Sequence, residues 1–276
     1  MNNRIGFEYR NTGEEDETAF EIFLKYTDEK EKSAAILGKI LTRLLVKRGM
    51  TLLDVGSGNG EYLRLALCGV RGINKTVFTL LEPSPDLVKR LRLTAKRFPQ
   101  GAVVKIVRST FEDFMPDNHF DVVLVSHVPL AKDNIEKLPE VYSRMLDFLM
   151  PDGCLIVVLR GKDDIHEFRT KFKSRLISRK YRLLTIDDVE RVLRRVAKTA
   201  SLRLYRFIAK ATLRLPYPSN MRDVIPVAEF FLNKGWEEIP DNVRKEVLTY
   251  IKLKNGVLQQ IDGFLVARKI HRQGKH

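Results

Sequence analysis

Short apolar runs alternate along most of the chain with segments whose apolar residues return every third or fourth position. "TLLDV", "TVFTLLE", "AVVKIV", "FDVVLVS" and "GCLIVVLR" read as buried strands. Between them a helix is expected from about Glu61 to Cys68. Another lies in "SPDLVKRLRLTAKRF", with Ser84 as N-cap and Pro85 at the first helical position, and a third around "LPEVYSRMLDFL". Strands separated by helices make a parallel sheet the economical architecture.

The flanks keep a different rhythm. From Thr18 to Arg48, apolar residues at Phe20, Phe23 and Leu24, then at Ile36, Leu37, Ile40, Leu41, Leu44 and Leu45, are spaced as in helices. The charged stretch "TDEKEK" interrupts them, which predicts two helices with a polar joint. After Arg160, "DDIHEFRTKFKSRLI" is helical. "TIDDVERVLRRVAKTA" carries a capping box from Thr185 to Asp188, with Val189, Val192, Leu193 and Val196 on one face and Arg191, Arg194, Arg195 and Lys198 on the other. "SLRLYRFIAKATLRL" alternates as a half-buried strand, two helices follow, and "GVLQQIDGFLVARK" is a closing strand. There is no internal repeat and no low-complexity linker.

The chain has 276 residues, 44% of them apolar, enough for one large domain or a domain with an appendage. Its two cysteines, Cys68 and Cys154, lack CxxC spacing and supply neither a disulfide framework nor a zinc site; no metal is expected, and a reducing, cytoplasmic compartment is. The first residues have no apolar signal-peptide core and no apolar run is long enough to cross a bilayer, so a soluble protein without a membrane partner is expected. The net charge of +14 is unevenly placed: residues 160–215 hold 17 Lys and Arg against 6 Asp and Glu, whereas residues 1–159 are balanced. Two readings of that stretch stay open, a face for nucleic acid and a solvated basic surface.

The chemistry concentrates in "LLDVGSGNGEY". A strand ending in Asp54 and turning through Gly56, Ser57, Gly58, Asn59 and Gly60 into a helix brings bare backbone and a helix N-terminus to a ligand. The spacing is G-x-G-x-G, so the third glycine is misplaced for the dinucleotide fingerprint G-x-G-x-x-G. It resembles motif I of class I S-adenosylmethionine-dependent methyltransferases. The next strand ends in "LLEPS", placing Glu82 where a carboxylate accepts both hydroxyls of an adenosyl ribose. "RSTFEDF" follows the third strand. Where many methyltransferases have an adenine-binding Asp, this chain offers Ser109 and Thr110, with Phe111 to pack on the base, and Glu112 and Asp113 read alternatively as caps of a following helix. "FDVVLVSHV" resembles the motif IV strand, with Ser126 and His127 at the end near the sulfonium, and "LMPDGCLIVV" resembles the fifth strand, preceded by a structural Pro151-Asp152-Gly153 turn.

The resemblance implies a doubly wound, mostly parallel seven-stranded sheet of Rossmann-like α/β type with an N-terminal helical cap. It implies S-adenosylmethionine as donor, S-adenosylhomocysteine as product, and cofactor contacts from Asp54, Gly56, Ser57, Gly58, Gly60, Glu82, Ser84, Thr110, Phe111 and Ser126. Residues 1–48 would form the cap or lid, 49–160 the cofactor-binding core, and 161–276 a basic part completing the sheet with helical insertions. "SHVPL" lacks the Pro pair and aromatic typical of base amino-methylation, and neither cysteine sits where cytosine C5 chemistry needs its nucleophile.

"FEIFLKYTDEK", "DVGSGNGE", "LLEPSPD", "DDIHEFRTKFKSRL", "LTIDDVERVL" and "GVLQQIDGFLVARK" together resemble the histamine N-methyltransferase family, in the same order over nearly the whole chain. That resemblance implies N-methylation of a small amine. Glu29 takes the position of the family's ammonium-binding acid, His127 that of its Gln after the fourth strand, and Gln260 that of its Asn in the last strand. The two departures keep hydrogen bonding but change shape and basicity, which argues against histamine itself. His127 reads equally as a general base or a packed ring. Tyr26 is a further substrate candidate, whereas helix-spaced Phe20 and Phe23 suit a core. The rival acceptors are RNA or protein reached through the 160–215 region, and the rival class is a non-catalytic adenosyl- or nucleic-acid-binding module. Oligomeric state is not encoded legibly.

Overall fold

The computed structural model describes residues 18–45, 49–71, 73–128, 130, 135–176, 183–198 and 201–270. In chain order these form α1 (Ala19–Tyr26), α2 (Glu29–Leu44), β1 (Thr51–Val55), α3 (Glu61–Leu67), β2 (Val77–Leu81), α4 (Pro85–Ala95), β3 (Val103–Val107) and β4 (Phe120–Ser126). Then follow α5 (Leu138–Asp147), β5 (Leu149–Arg160), α6 (Asp164–Lys173), α7 (Ile186–Val196), β6 (Leu202–Arg214), α8 (Met221–Leu232), α9 (Asp241–Leu253) and β7 (Val257–Lys269). One seven-stranded sheet runs in the order β3-β2-β1-β4-β5-β7-β6. The neighbours from β3 through β5 are parallel and β7 is antiparallel to β5.

The chain divides into two compact units with interleaved segments, 1–29, 162–183 and 211–260 in the first, and 30–161, 184–210 and 261–276 in the second. In the second unit, successive strand residues point to opposite faces and so feed two cores. Leu53, Val123, Val125 and Leu155 pack with α5 and α7 through Tyr142, Met145, Val189 and Leu193. Leu52, Val122, Leu124 and Ile156 pack on the other face with α2, α3 and α4 through Leu37, Leu41, Leu63 and Leu91. Helix α2 therefore covers a face of the sheet, where the sequence suggested a lid. Gly38 permits the approach, since a Cβ there would sit 2.5 Å from the Ala66 carbonyl oxygen of α3.

The first unit has an aromatic core in which Phe23, Phe168, Phe172, Phe231 and Tyr250 bring α1, α6, α8 and α9 together. Phe20 and Phe23 lie against Phe230, with ring centroids 5.5 and 5.4 Å apart, as their helical spacing suggested for core residues.

Three local expectations need correction. The polar joint is only Thr27 and Asp28, because Glu29 already begins α2 and the rest of the charged stretch forms its first turn. Pro151-Asp152-Gly153 lies within β5, where the register slips so that Phe120 faces Leu149 and Val122 faces Cys154. This is an irregularity within a strand rather than a turn before one. Glu112 and Asp113 cap no helix; they sit in a turn, and the Asp113 carboxylate accepts the Thr110 hydroxyl at 2.6 Å. The N-terminal seventeen residues of the proposed cap lie outside the described residues, as do 177–182 and 199–200 of the basic stretch.

Candidate functional site

The turn after β1 shows why three glycines alternate. A side chain at Gly56 would place its Cβ 2.5 Å from Val128 beyond β4, and one at Gly60 would meet Leu91 of α4 at the same distance. Both glycines thus let neighbouring elements close on the turn. Gly58 differs, with a φ of +58° and no atom within 4 Å of a would-be Cβ, so its backbone borders open space.

Glu82, at the end of β2, ties this turn to the next one. It is 6% exposed. Its Oε2 accepts the Gly58 amide at 2.9 Å and its Oε1 accepts the Ser84 amide at 2.9 Å. A carboxylate offers about four lone-pair positions, so about two remain for a vicinal diol. The amides of Gly56 and Ser57 both donate to the Leu81 carbonyl, at 2.8 and 2.9 Å, which locks the start of the turn to the end of β2. A positive-φ glycine whose Cα borders open space, braced through its amide by a buried acid, leaves room for a ligand to approach the backbone beside a carboxylate, which suits the sugar end of an adenosyl-sulfonium ligand.

Asp54 is 5% exposed at the end of β1. Burial raises its pKa to about 7; the Ser57 hydrogen bond opposes this, and the nearby Glu82 charge adds to it. The remaining predicted contacts are already engaged. Ser57 Oγ donates to the Asp54 carbonyl at 2.9 Å, and Ser84 Oγ caps α4 by accepting the Leu87 amide at 3.4 Å. Thr110 donates to Asp113. Phe111 is 6% exposed and packed against Phe148, with the Arg144 guanidinium 5.1 Å above its ring. That enclosure gives Phe111 a core role and leaves little of the ring for an adenine.

At the end of β4, Ser126 pairs with Val158 of β5 and His127 turns the chain out of the sheet in the left-handed region, with φ +53°. The His127 amide donates to the Val158 carbonyl at 2.9 Å. Its Nε2 lies 3.3 Å from Oδ2 of Asp262 on β7. Asp262 was missed at the sequence level, although an acid inside the otherwise apolar "IDGFLVA" was the available signal.

The first unit holds Tyr26, Glu29 and Gln260. Glu29 is 9% and Gln260 is 1% exposed. Gln260 Nε2 donates to Glu29 Oε2 at 2.8 Å, while Gln260 Oε1 accepts the Thr27 hydroxyl. Glu29 is therefore a buried, oriented carboxylate and not one more charge in a solvated joint. Gln260 has both ends of its amide engaged, and the Tyr26 hydroxyl donates to Asp223.

Some arginines of the basic stretch are paired with acids. Arg191 bonds Asp188, Arg194 bonds Glu190 at 2.6 Å, and Arg206 bonds both Asp187 and Glu190 at 2.6 Å. Cys154 is buried and Cys68 exposed. Burial pushes the Cys154 thiol upward, which disfavours the thiolate a nucleophile needs. Among the described residues, no helix is long and apolar enough to cross a membrane.

A family profile described as "Methyltransferase domain" matches residues 46–212. No curated protein matches the chain. Among solved structures, the YcgJ protein of Bacillus subtilis aligns with a TM-score of 0.53 at 13% identity, covering 86% of this chain and 99% of its own. The cyclopropane synthase MmaA2 of Mycobacterium tuberculosis aligns with a TM-score of 0.50 at 17% identity, covering 85% and 82%. The mycolic acid cyclopropane synthase CmaA1, solved with S-adenosylhomocysteine and CTAB, gives 0.50 at 17% identity, covering 85% and 83%. At such identities these structures speak for the fold alone. The matched span contains the whole glycine turn, Glu82 and the end of β4, and the chain belongs to the methyltransferase-domain family as an S-adenosylmethionine-dependent enzyme.

Proposed function

We propose that the chain methylates the nitrogen of a small amine. The observation that carries this reading is Glu29, a buried carboxylate held by Gln260 at 2.8 Å, at the position where the histamine N-methyltransferase resemblance expects an ammonium-binding acid. A carboxylate withdrawn from water is a strong site for a cationic group, because pairing offsets its desolvation. Gln260 serves Glu29 in this reading, fixing its rotamer instead of touching the acceptor.

The donor is bound, in the same reading, against the bare backbone of Gly58 and by Glu82, which takes the ribose hydroxyls on the lone pairs that the Gly58 and Ser84 amides leave. When bound, S-adenosylmethionine supplies an activated methyl group, so that the acceptor's lone pair forms the N–C bond while the S–C bond breaks with its electron pair left on sulfur. The chain's own tasks are to align the nitrogen, keep water out and accept one proton. His127 at the end of β4 is the proton acceptor. A macromolecular acceptor is the second reading, and the excess of Lys and Arg over Asp and Glu in residues 160–215 is what favours it.

The test is Glu29→Gln, which keeps the size of the side chain and its contact with Gln260 but removes the charge. Assayed against a panel of small primary and secondary amines, the variant is expected to keep donor affinity and lose roughly 10- to 100-fold in kcat/KM, the scale of a hydrogen bond to a charged group. Unchanged kcat/KM on every amine turned over by the wild type would remove Glu29 from substrate binding.

A further inference from the structure

We infer that Asp262 is a positioning residue for His127, orienting the imidazole and holding a proton on its Nε2 so that Nδ1 is left to exchange a proton with the acceptor. The inference rests on the reading of His127 as proton acceptor and adds a residue that neither the motifs nor the family match assigns.

Three observations in the second unit carry it. The Asp262 side chain is 1% exposed, and its Oδ2 lies 3.3 Å from His127 Nε2. The buried Asp262 carboxylate is a costly charge, and the groups that offset it are the His127 ring at 3.3 Å, Arg160 and the Ser33 hydroxyl. His127 itself is held in the left-handed region, a conformation a non-glycine residue keeps only when its surroundings enforce it.

The surroundings give the carboxylate a reason to stay ionised. Arg160 of β5 stands directly across the antiparallel pair from Asp262. Ser33 of α2, 1% exposed, is hydrogen-bonded to the Tyr62 hydroxyl of α3 at 2.8 Å, and the Tyr62 ring meets the His127 ring edge-on at 6.3 Å. Among the described residues of this unit, Asp262 from β7 and Tyr62 from α3 face the imidazole, and Arg160 from β5 faces Asp262. Despite its burial, the Asp262 carboxyl is held well below the usual range, by His127 first and Arg160 second. Coupling between two titrating groups is reciprocal, so the same contact favours the protonated imidazole. A histidine fixed in one orientation beside a carboxylate is better placed to take the proton released on amine methylation.

The test is an NMR titration of ring-labelled histidines in the full chain, with the His127 signal assigned by its loss in His127→Gln. In the wild type, neutral His127 is expected as the Nε2–H form; an Nδ1–H form would overturn the inference without any variant. In Asp262→Asn the imidazole midpoint is expected to fall by about one pH unit or more, the scale of losing one neighbouring opposite charge. The kcat is expected to drop at least about tenfold, with the acidic limb of the pH profile moving by the same amount and donor affinity unchanged. A folded Asp262→Asn with an unmoved midpoint and pH profile would also overturn it. Because the NMR readout needs no acceptor, failure of the small-amine reading and failure of this one are separately visible.

Discussion

Glu82 braces the glycine turn by accepting two amides, from Gly58 in the turn after β1 and from Ser84 in the turn after β2. In the proposed reading, removing its carboxylate therefore takes away both a ligand contact and the pre-organisation of the turn. Glu82→Ala is expected to weaken S-adenosylmethionine binding by about a hundredfold or more, on the scale of two hydrogen bonds to a charged group, as read by calorimetry. Equal affinity in wild type and variant would refute the ribose assignment. Asp54 makes a second prediction. Its ordinary value is 3.8 and its folded value about 7. Between these limits the folded chain keeps a proton that the unfolded chain has released. The stability contributed by Asp54 is complete below the lower value and lost as pH rises through the upper one. Denaturant unfolding across about pH 4 to 7 should show this as a slope of up to about 1.4 kcal/mol per pH unit, flattened in Asp54→Asn. An identical pH profile in the variant would show that Asp54 does not carry this proton. The glycines and Glu82 were legible in the sequence because spacing alone announces a tight turn and an acid one unit later. Asp262 was not, because its meaning depends on β7 returning two strands away from β4.

At the level of elements, period and punctuation were enough for most of the pattern. The capping box at Thr185 is present, with the Asp188 carboxylate accepting the Thr185 amide at 3.0 Å and its hydroxyl at 2.8 Å. Ser84 caps α4 as expected. What a linear reading cannot supply is how closely two elements pack. Gly263 in β7 looks like a weak point in a strand. A Cβ there would lie 2.3 Å from Cγ2 and 2.7 Å from Cγ1 of Ile186, the first residue of α7. Gly263→Ala is expected to cost about 1–3 kcal/mol, the usual range for overpacking, and to cost less in an Ile186→Ala background, which lacks both clashing γ carbons. Unfolding midpoints measure this; a neutral Gly263→Ala would mean that α7 sits farther from β7 than described. The irregularity at Pro151–Gly153 escaped for a related reason, since its turn-forming residues are identical whether they precede a strand or interrupt one.

For the whole molecule, the sheet order, the family match and the fold class agree with a reading begun from alternating strands and helices. The division of the chain was less legible. Segments far apart in sequence, 1–29, 162–183 and 211–260, share one aromatic core, and contiguous blocks could not anticipate that. The net excess after residue 159 already counts the acids of α7 that bond Arg191, Arg194 and Arg206, so it persists beside those pairs and suits a polyanion as well as a solvated basic surface. The acceptor class therefore decides between the small-amine reading and its macromolecular rivals. Radiolabelled methyl transfer from S-adenosylmethionine into a fractionated cell extract measures it directly. Label is expected in small cationic molecules and to disappear with Glu29→Gln; label confined to RNA or to protein would contradict a small-amine acceptor.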